Sequence, residues 1–188
     1  LRDATPHRAP AVFGTPELVA EFAAFGFESQ MDAPDCVVLG FDTTIDYARF
    51  TRLCDLVRAG LPYIATHPDL NCPVAGGGFI PDIGAMMAFV EASAGRRPDA
   101  IIGKPSPHIL SMAAARLGLP QETLCMVGDR LYTDIALGDT APIQTALVLS
   151  GETKAADVPG SPHQPDHVFA GVGELHAALL KIRAGNAT

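Results

Sequence analysis

The chain has 188 residues, 48% of them hydrophobic and 18% charged, and a formal charge of −8 from 13 basic against 21 acidic side chains. That length suffices to bury a core in one full domain or two small ones, and the composition is that of a globular protein rather than a disordered one. The acidic balance, with no basic patch, argues against nucleic acid as a partner, and no apolar run approaches the roughly 18 residues of a membrane span.

Residues 1–10 read as a polar, proline-containing linker, after which α/β alternation begins. Ala11 to Phe13 reads as a short strand. Gly14-Thr15-Pro16-Glu17 starts a helix, with Thr15 as cap and Pro16 in the first turn, and Gly26 closes it. Cys36 to Leu39 is the next strand. Asp46 then caps an amphipathic helix that runs to Ala59, turns Leu53, Leu56 and Val57 inward and ends at Gly60. Pro62 to Thr66 is a further strand. His67 to Pro81, with Pro68, Pro73 and Gly76-Gly77-Gly78, reads as one long loop; such length in a compact domain goes with function, the plainer reading being a surface excursion. A helix follows from Asp82 to Ala94, stopped by Gly95, then a strand at Ala100 to Ile102 and a helix from Ser106, its cap, to Leu117, closed by Gly118. Thr123 to Val127 is a strand, a helix starts at about Thr133, and Gln144 to Leu149 is a strand. A Pro/Gly-rich loop over 150–165, a short strand His167 to Phe169 and a helix Gly173 to Arg183 complete the chain. This order predicts an α/β fold of parallel sheets with helical cover.

Cys36, Cys54, Cys72 and Cys125 have no paired spacing, and three of them sit in apolar patterns where a free thiol behaves as a small hydrophobe, so a reducing cytoplasm is the expected setting. The start of the chain, with Asp3, His7 and two prolines, has no signal-peptide core. It opens at Leu1 rather than Met, and a preceding segment is expected.

Two strand ends carry the chemistry. Thr123-Leu124-Cys125-Met126-Val127 has the letters of a buried strand, and Gly128 turns the backbone so that Asp129 stands at the strand's carboxyl end. Ligands of open α/β sheets gather at that edge. Ala100-Ile101-Ile102 reads as an adjacent strand whose tip, Gly103-Lys104-Pro105-Ser106, projects Lys104. The two tips together would offer one ammonium and two carboxylates, Asp129 and Asp134. An ion such as Mg²⁺ takes few carboxylates and keeps several waters, so Asp129 suits direct contact and Asp134 a supporting one. Lys104 would neutralise phosphate oxygens during phosphoryl transfer. Taken singly, Asp134 is equally a helix N-terminal acid and Lys104 a solvated loop lysine; their conjunction favours a site. No nucleophile accompanies them.

In order and spacing, Gly103-Lys104-Pro105-Ser106-Pro107, Val127-Gly128-Asp129-Arg130 through Thr133-Asp134, and Ala146 through Gly151 resemble the later motifs of haloacid-dehalogenase (HAD) superfamily phosphatases, in the subfamily of NagD, the 4-nitrophenyl phosphatases and pyridoxal phosphatase. Upstream, Val37 through Asp42, Tyr63 through Asp69, and Gly84-Ala85 with Glu91 and Gly95 resemble that subfamily's large α/β cap. The resemblance covers Val12 to Leu180. It implies a cap over residues 11–99 and the carboxyl-terminal half of a Rossmann-like core over residues 100–188. It implies Lys104 and Asp129 as catalytic residues, with Lys104 holding the phosphoryl group, and Mg²⁺ at Asp129 with Asp134 in support. A cap loop from His67 to Gly78 would lie over the leaving group, giving His67, Asp69 and Asn71 as substrate-binding candidates. The implied reaction is hydrolysis of a small phosphorylated metabolite, such as a nucleoside monophosphate, sugar phosphate or aryl phosphate, through an aspartyl phosphate that water then cleaves.

Several departures stand beside the resemblance. The family's Asp-x-Asp-Gly-Thr segment, which supplies the nucleophile, and the Ser/Thr tip after it do not occur in this sequence. Asp42-Thr43-Thr44 is a poor substitute because it lies in the cap-like region. The usual Asn-Pro-Asp of the cap loop is His67-Pro68-Asp69, the usual Pro-Gly-x-Gly is Pro81-Asp82-Ile83-Gly84, and Pro142 stands where glycine is common. The expectation is a polypeptide without turnover of its own, with a non-catalytic binding or interaction protein as the alternative and a receiver-like or nucleotide-binding domain as a third reading. A core without its first strands would expose a sheet edge, so pairing with a second copy as a homodimer, or poor solubility, is expected. His67 over a leaving group could donate a hydrogen bond, or simply pack on Pro68. His163 and His167 have metal-like letters, but Pro165 forbids the helix that would align them. Arg96-Arg97 reads as a solvated helix end.

Overall fold

The computed structural model describes residues 7–185, and the chain divides into two compact units after Gly103. The expected residues 1–6 of the linker lie outside the described residues, and Pro10 already belongs to a strand.

In the first unit the chain runs β1 (Pro10–Phe13), α1 (Pro16–Ala24), β2 (Cys36–Leu39), α2 (Tyr47–Arg58), β3 (Tyr63–Ala65), β4 (Asn71–Val74), β5 (Gly78–Pro81), α3 (Ile83–Ala94) and β6 (Ala100–Ile101). Strands β1, β2, β3 and β6 form a parallel sheet in that order. Every residue of β1 and β2 is buried, as expected of parallel strands covered on both faces. The helices start where the letters say. Thr15 accepts the Leu18 N–H at 3.4 Å, Asp46 the Arg49 N–H at 2.8 Å and Asp82 the Ile83 N–H at 2.7 Å, so side-chain oxygens satisfy donors that the first turns leave open. Phe13, Leu39 and Tyr63 of the sheet pack with Leu53, Leu56 and Val57 of α2 and with Ile83 and Val90 of α3 in one core. Each fully buried aliphatic or aromatic side chain there contributes roughly 2 kcal/mol.

Two expectations change. The stretch from His67 to Pro81 is not a structureless loop: β4 and β5 form an antiparallel hairpin with Asn71 opposite Pro81 and Val74 opposite Gly78. Its prolines disguise it, yet a two-stranded ribbon tolerates proline where no ladder donor is needed. Gly76 and Gly77, at φ 87° and 81°, make a turn that other residues adopt only under strain. Ala100–Ile101 pairs with β3, through Ile64 and Ala65, and so belongs to the first unit. The structure divides after Gly103 rather than after residue 99, and this strand takes its pairing from β3 of the first unit.

The second unit contains α4 (His108–Leu117), β7 (Cys125–Gly128), β8 (Gln144–Val148), β9 (His167–Phe169) and α5 (Val172–Gly185). Its three strands are parallel in the order β7-β8-β9. Asp166 ties the last two together, accepting Thr145 N–H at 2.7 Å and the Thr145 hydroxyl at 3.0 Å. These bonds, backbone first and side chain second, hold the Asp166 carboxyl below its ordinary value. The core is divided: Leu110, Leu137 and Ile143 form one cluster, and Leu131, Ile135 and Leu147 another.

Here too the structure corrects the sequence. Helix α4 starts after Pro107 without a side-chain cap, so Ser106 does not fill that role; its carbonyl instead accepts Ile109 N–H at 3.3 Å. The helix expected from Thr133 is a 3-10 turn over Ile135–Asp139, cut short by Gly138 and by the approach to Pro142. Strand β7 was expected to be buried, but alternates exposed and half-buried positions. Among the described residues it pairs with β8 alone. Helix α5 buries no side chain, and Leu179, Leu180 and Ile182 are all more than half exposed. No helix of the described residues is long and apolar enough to cross a membrane.

Candidate functional site

Strand β7 ends at Gly128, and the next residues wrap around a single buried carboxylate. Asp134 is 2% exposed. Its Oδ2 accepts the backbone N–H of Asp129 at 3.2 Å and of Arg130 at 3.1 Å, and its Oδ1 takes the ammonium of Lys104. Asp134 thus fixes the turn that presents Asp129 and also holds Lys104, the first residue of the unit, against that turn. Lys104 and Asp129 are brought to one place by a shared partner rather than by adjacent strands. The carboxylate of Lys104's partner is buried while the lysine side chain is 38% exposed, so the cation stays accessible to an anion.

Asp129 is half-buried and is held from the other side. Its Oδ2 accepts Glu152 N–H at 2.8 Å, and its carbonyl accepts Thr153 N–H at 3.1 Å. The Glu152 side chain pairs with Arg130 at 2.8 Å. The chain after β8 is therefore clamped to the chain after β7, which keeps the Asp129 carboxylate in one orientation. Two glycines make this possible. A Cβ on Gly128 would occupy the Asp134 carboxylate, and a Cβ on Gly151 would occupy that of Asp129. Nothing in the linear sequence marks Glu152 for this clamp, which follows from β7 and β8 lying side by side in parallel with their carboxyl ends together.

These groups suit a phosphate and a hard cation. Asp134 already has its oxygens engaged by two N–H groups and an ammonium, which leaves Asp129 as the carboxylate able to contact an ion directly, with Asp134 acting through the frame it builds. The oxygen donors are of the type Mg²⁺ prefers.

In the first unit, His67 and Asp69 come together with a residue the sequence reading treated only as a departure. His67 Nε2 lies 3.1 Å from Asp82 Oδ1, and its Nδ1 lies 3.1 Å from the Thr66 hydroxyl. Asp69 offers a carboxylate oxygen within 4.8 Å of the His67 and Asp82 ligand atoms. Asn71 is exposed on β4. His67 packs between polar partners rather than only on Pro68. Asp42 is 1% exposed and ion-paired with Arg49 at 2.6 Å, a structural pair that leaves it unsuited to act as a nucleophile. A cavity of about 400 Å³ beside α1 is lined by Gly14, Val19, Ala23, Thr44 and Arg49 and holds none of the expected residues. His163 and His167 have separate partners, Asp139 at 2.5 Å and Gln144 at 2.9 Å, and form no joint site.

Residues 101–175 match the family model described as HAD-hydrolase-like. The ribonucleotide monophosphatase NagD of Escherichia coli K12 is 34% identical over 164 residues, which are 87% of this chain and 64% of that protein. The crystal structure of a 4-nitrophenylphosphatase from Thermotoga maritima superposes with a TM-score of 0.87 at 46% identity, covering 92% of this chain and 66% of that one. A p-nitrophenyl phosphatase from Archaeoglobus fulgidus gives 0.84 at 30% identity over 94% of this chain and 69% of that one. The chain thus spans about two thirds of the length of these relatives. Its motifs, its parallel α/β fold and these similarities place it in the HAD superfamily, within the subfamily of NagD and the 4-nitrophenyl phosphatases.

Proposed function

We propose that the chain comprises the cap (the first unit) and the carboxyl-terminal half of the catalytic core (the second) of a Mg²⁺-dependent phosphatase acting on small phosphomonoesters. The observation that carries this reading is the Lys104–Asp134–Asp129 arrangement, in which one buried carboxylate holds both an accessible ammonium and the turn bearing a second carboxylate. In that role Lys104 neutralises the phosphoryl oxygens, and Asp129 holds the metal with Asp134 in support. Mg²⁺ would supply charge neutralisation at the transferring group. A related glycerol phosphate phosphatase from Mycobacterium tuberculosis, 29% identical, is known in complex with magnesium. His67, Asp69 and Asn71 are the candidates for contact with the substrate. Four free cysteines fit a cytoplasmic setting, and the charge of −8 disfavours nucleic acids and anionic membranes.

Because the sequence contains no Asp-x-Asp-Gly-Thr segment, the polypeptide alone is expected to release no phosphate from 4-nitrophenyl phosphate with Mg²⁺. A chimaera in which it replaces the matching part of the Thermotoga enzyme is expected to hydrolyse that ester, and Lys104→Met or Asp129→Asn is expected to abolish the activity. A folded chimaera whose activity survives both substitutions would overturn the assignment, and turnover by the polypeptide alone would overturn its inactivity.

A further inference from the structure

We propose that His67, Asp69 and Asp82 form a binding site for a divalent transition-metal ion of zinc type, contained within the first unit and independent of the Mg²⁺ carboxylates of the second. Imidazole with two carboxylates is a donor set that suits Zn²⁺. Around a tetrahedral ion with bonds of about 2.0–2.2 Å, ligand atoms lie about 3.4 Å apart. The His67 Nε2 and Asp82 Oδ1 atoms, at 3.1 Å, are already near that spacing, and the Asp69 oxygen lies within 4.8 Å of both.

A second feature concerns the other ring nitrogen. A metal-bound histidine commonly donates its remaining N–H to an oxygen, which fixes the tautomer and the ring plane. The Thr66 hydroxyl stands 3.1 Å from Nδ1 and supplies that acceptor. With Nδ1–H donated to Thr66, Nε2 carries a lone pair toward Asp82, and the ion takes the place of the proton that would otherwise sit between them. Asp82 is buried and anchored as the cap of α3, and the backbone carbonyl of Asp69 is held by Gly84 N–H at 2.7 Å. The donors are therefore attached to a framed stretch of backbone.

The two positions at which the cap motif departs from its usual letters, His67 and Asp82, are thus in contact. Asparagine and glycine at these positions would remove two of the three ligands. The other such three-residue group among the described residues, His7, Asp35 and Cys36, is a poorer candidate: burial, followed by the charge of Asp35, pushes the Cys36 thiol up to about 12, and the thiolate is the metal-binding form.

The test is titration of the chelator-treated full chain with Zn²⁺ by calorimetry, with Co²⁺ absorption as a reporter of tetrahedral geometry. One equivalent of Zn²⁺ is expected to bind, to raise the Tm and to be matched by Co²⁺ bands in the visible. His67→Asn and Asp82→Asn, the latter retaining a capping side chain, are each expected to weaken binding at least about tenfold, with circular dichroism unchanged. Asp69→Asn serves as a further variant that leaves the Asp82 side chain at the start of α3 in place. Asp129→Asn is expected to leave Zn²⁺ binding intact, which separates this site from the phosphatase reading. Absence of stoichiometric binding to the folded chain, affinity unchanged in all three cap variants, or binding that disappears with Asp129→Asn would each overturn the proposal.

Discussion

At the scale of the residue, Asp134 is the group that organises the second unit's candidate site. It accepts two backbone N–H groups and the Lys104 ammonium while almost wholly buried. Asp134→Ala would leave those donors without their acceptor, at a cost of roughly 2–3 kcal/mol, discounted for the partial exposure of Lys104. Urea unfolding of the variant is expected to show that loss; an unchanged midpoint would mean that the carboxylate does not organise the turn. Gly151→Ala places a methyl group on the Asp129 carboxylate, and overpacking of this kind costs about 1–3 kcal/mol. It should also weaken divalent-ion binding, as read by calorimetry.

Asp166 provides the pH dependence. Its folded pKa is lowered by its bonds from Thr145, so its contribution to stability is present above its unfolded value, about 3.9, and is lost as pH falls through the folded value. Asp166→Asn is expected to flatten the decline of stability below about pH 4 relative to the native chain, measured by thermal melts across the acid range. Identical acid profiles would remove Asp166 from this account.

Lys104, Asp129 and Asp134 were offered by their letters as a candidate group for a hard cation beside a phosphate, and the structure brings the three together. Their geometry was not legible. The reading placed Lys104 on a neighbouring strand tip, whereas an ion pair to Asp134 brings it in. Asp82 was visible only as an anomaly, since nothing in a linear sequence marks a helix cap as a partner for a histidine 15 residues earlier.

At the scale of the element, the helices of the first unit and the strands β1 to β3 followed from capping residues and apolar runs, where local preference and burial agree. The failures came where tertiary context overrides local letters. The β4–β5 hairpin hides behind prolines and glycines, and Ile135–Asp139 winds as a 3-10 turn where an α-helix was expected. Strand β7 has the composition of a buried strand but leaves Cys125 exposed. Desolvation by surrounding protein, and then the Asp166 charge, raise the Cys125 thiol above its ordinary value. Reaction with a thiol reagent under native conditions is therefore expected to modify Cys125 slowly, accelerating as pH rises, and to leave buried Cys36 and Cys54 unmodified. Labelling of Cys36 or Cys54 before Cys125, located by mass spectrometry, would contradict these burials.

At the scale of the whole molecule, the two units differ in how well they are closed. Among the described residues, the first has one continuous core under its sheet, while the second has two small clusters, a strand β7 paired with β8 alone and a helix α5 with no buried side chain. A half-exposed edge strand invites further strand pairing, and exposed apolar faces invite cover. Sedimentation velocity is expected to show association that rises with concentration; a monomer at every concentration would argue that these surfaces are tolerated by the isolated chain. The α/β class was readable from the alternation of elements, whereas a two-part organisation followed only from the family resemblance; the division after Gly103 was not legible, because Ala100–Ile101 is too short to declare which sheet it joins.

The central claim is that Asp129, oriented by Asp134 beside Lys104, is a divalent-ion site next to a phosphate position. Paramagnetic broadening by Mn²⁺, added with inorganic phosphate to the ¹⁵N-labelled chain, tests it most directly. The account predicts broadening centred on the amides of residues 128–134 and 151–153 that Asp129→Asn abolishes; undiminished signals at those amides, or broadening there that persists in the variant, would contradict it.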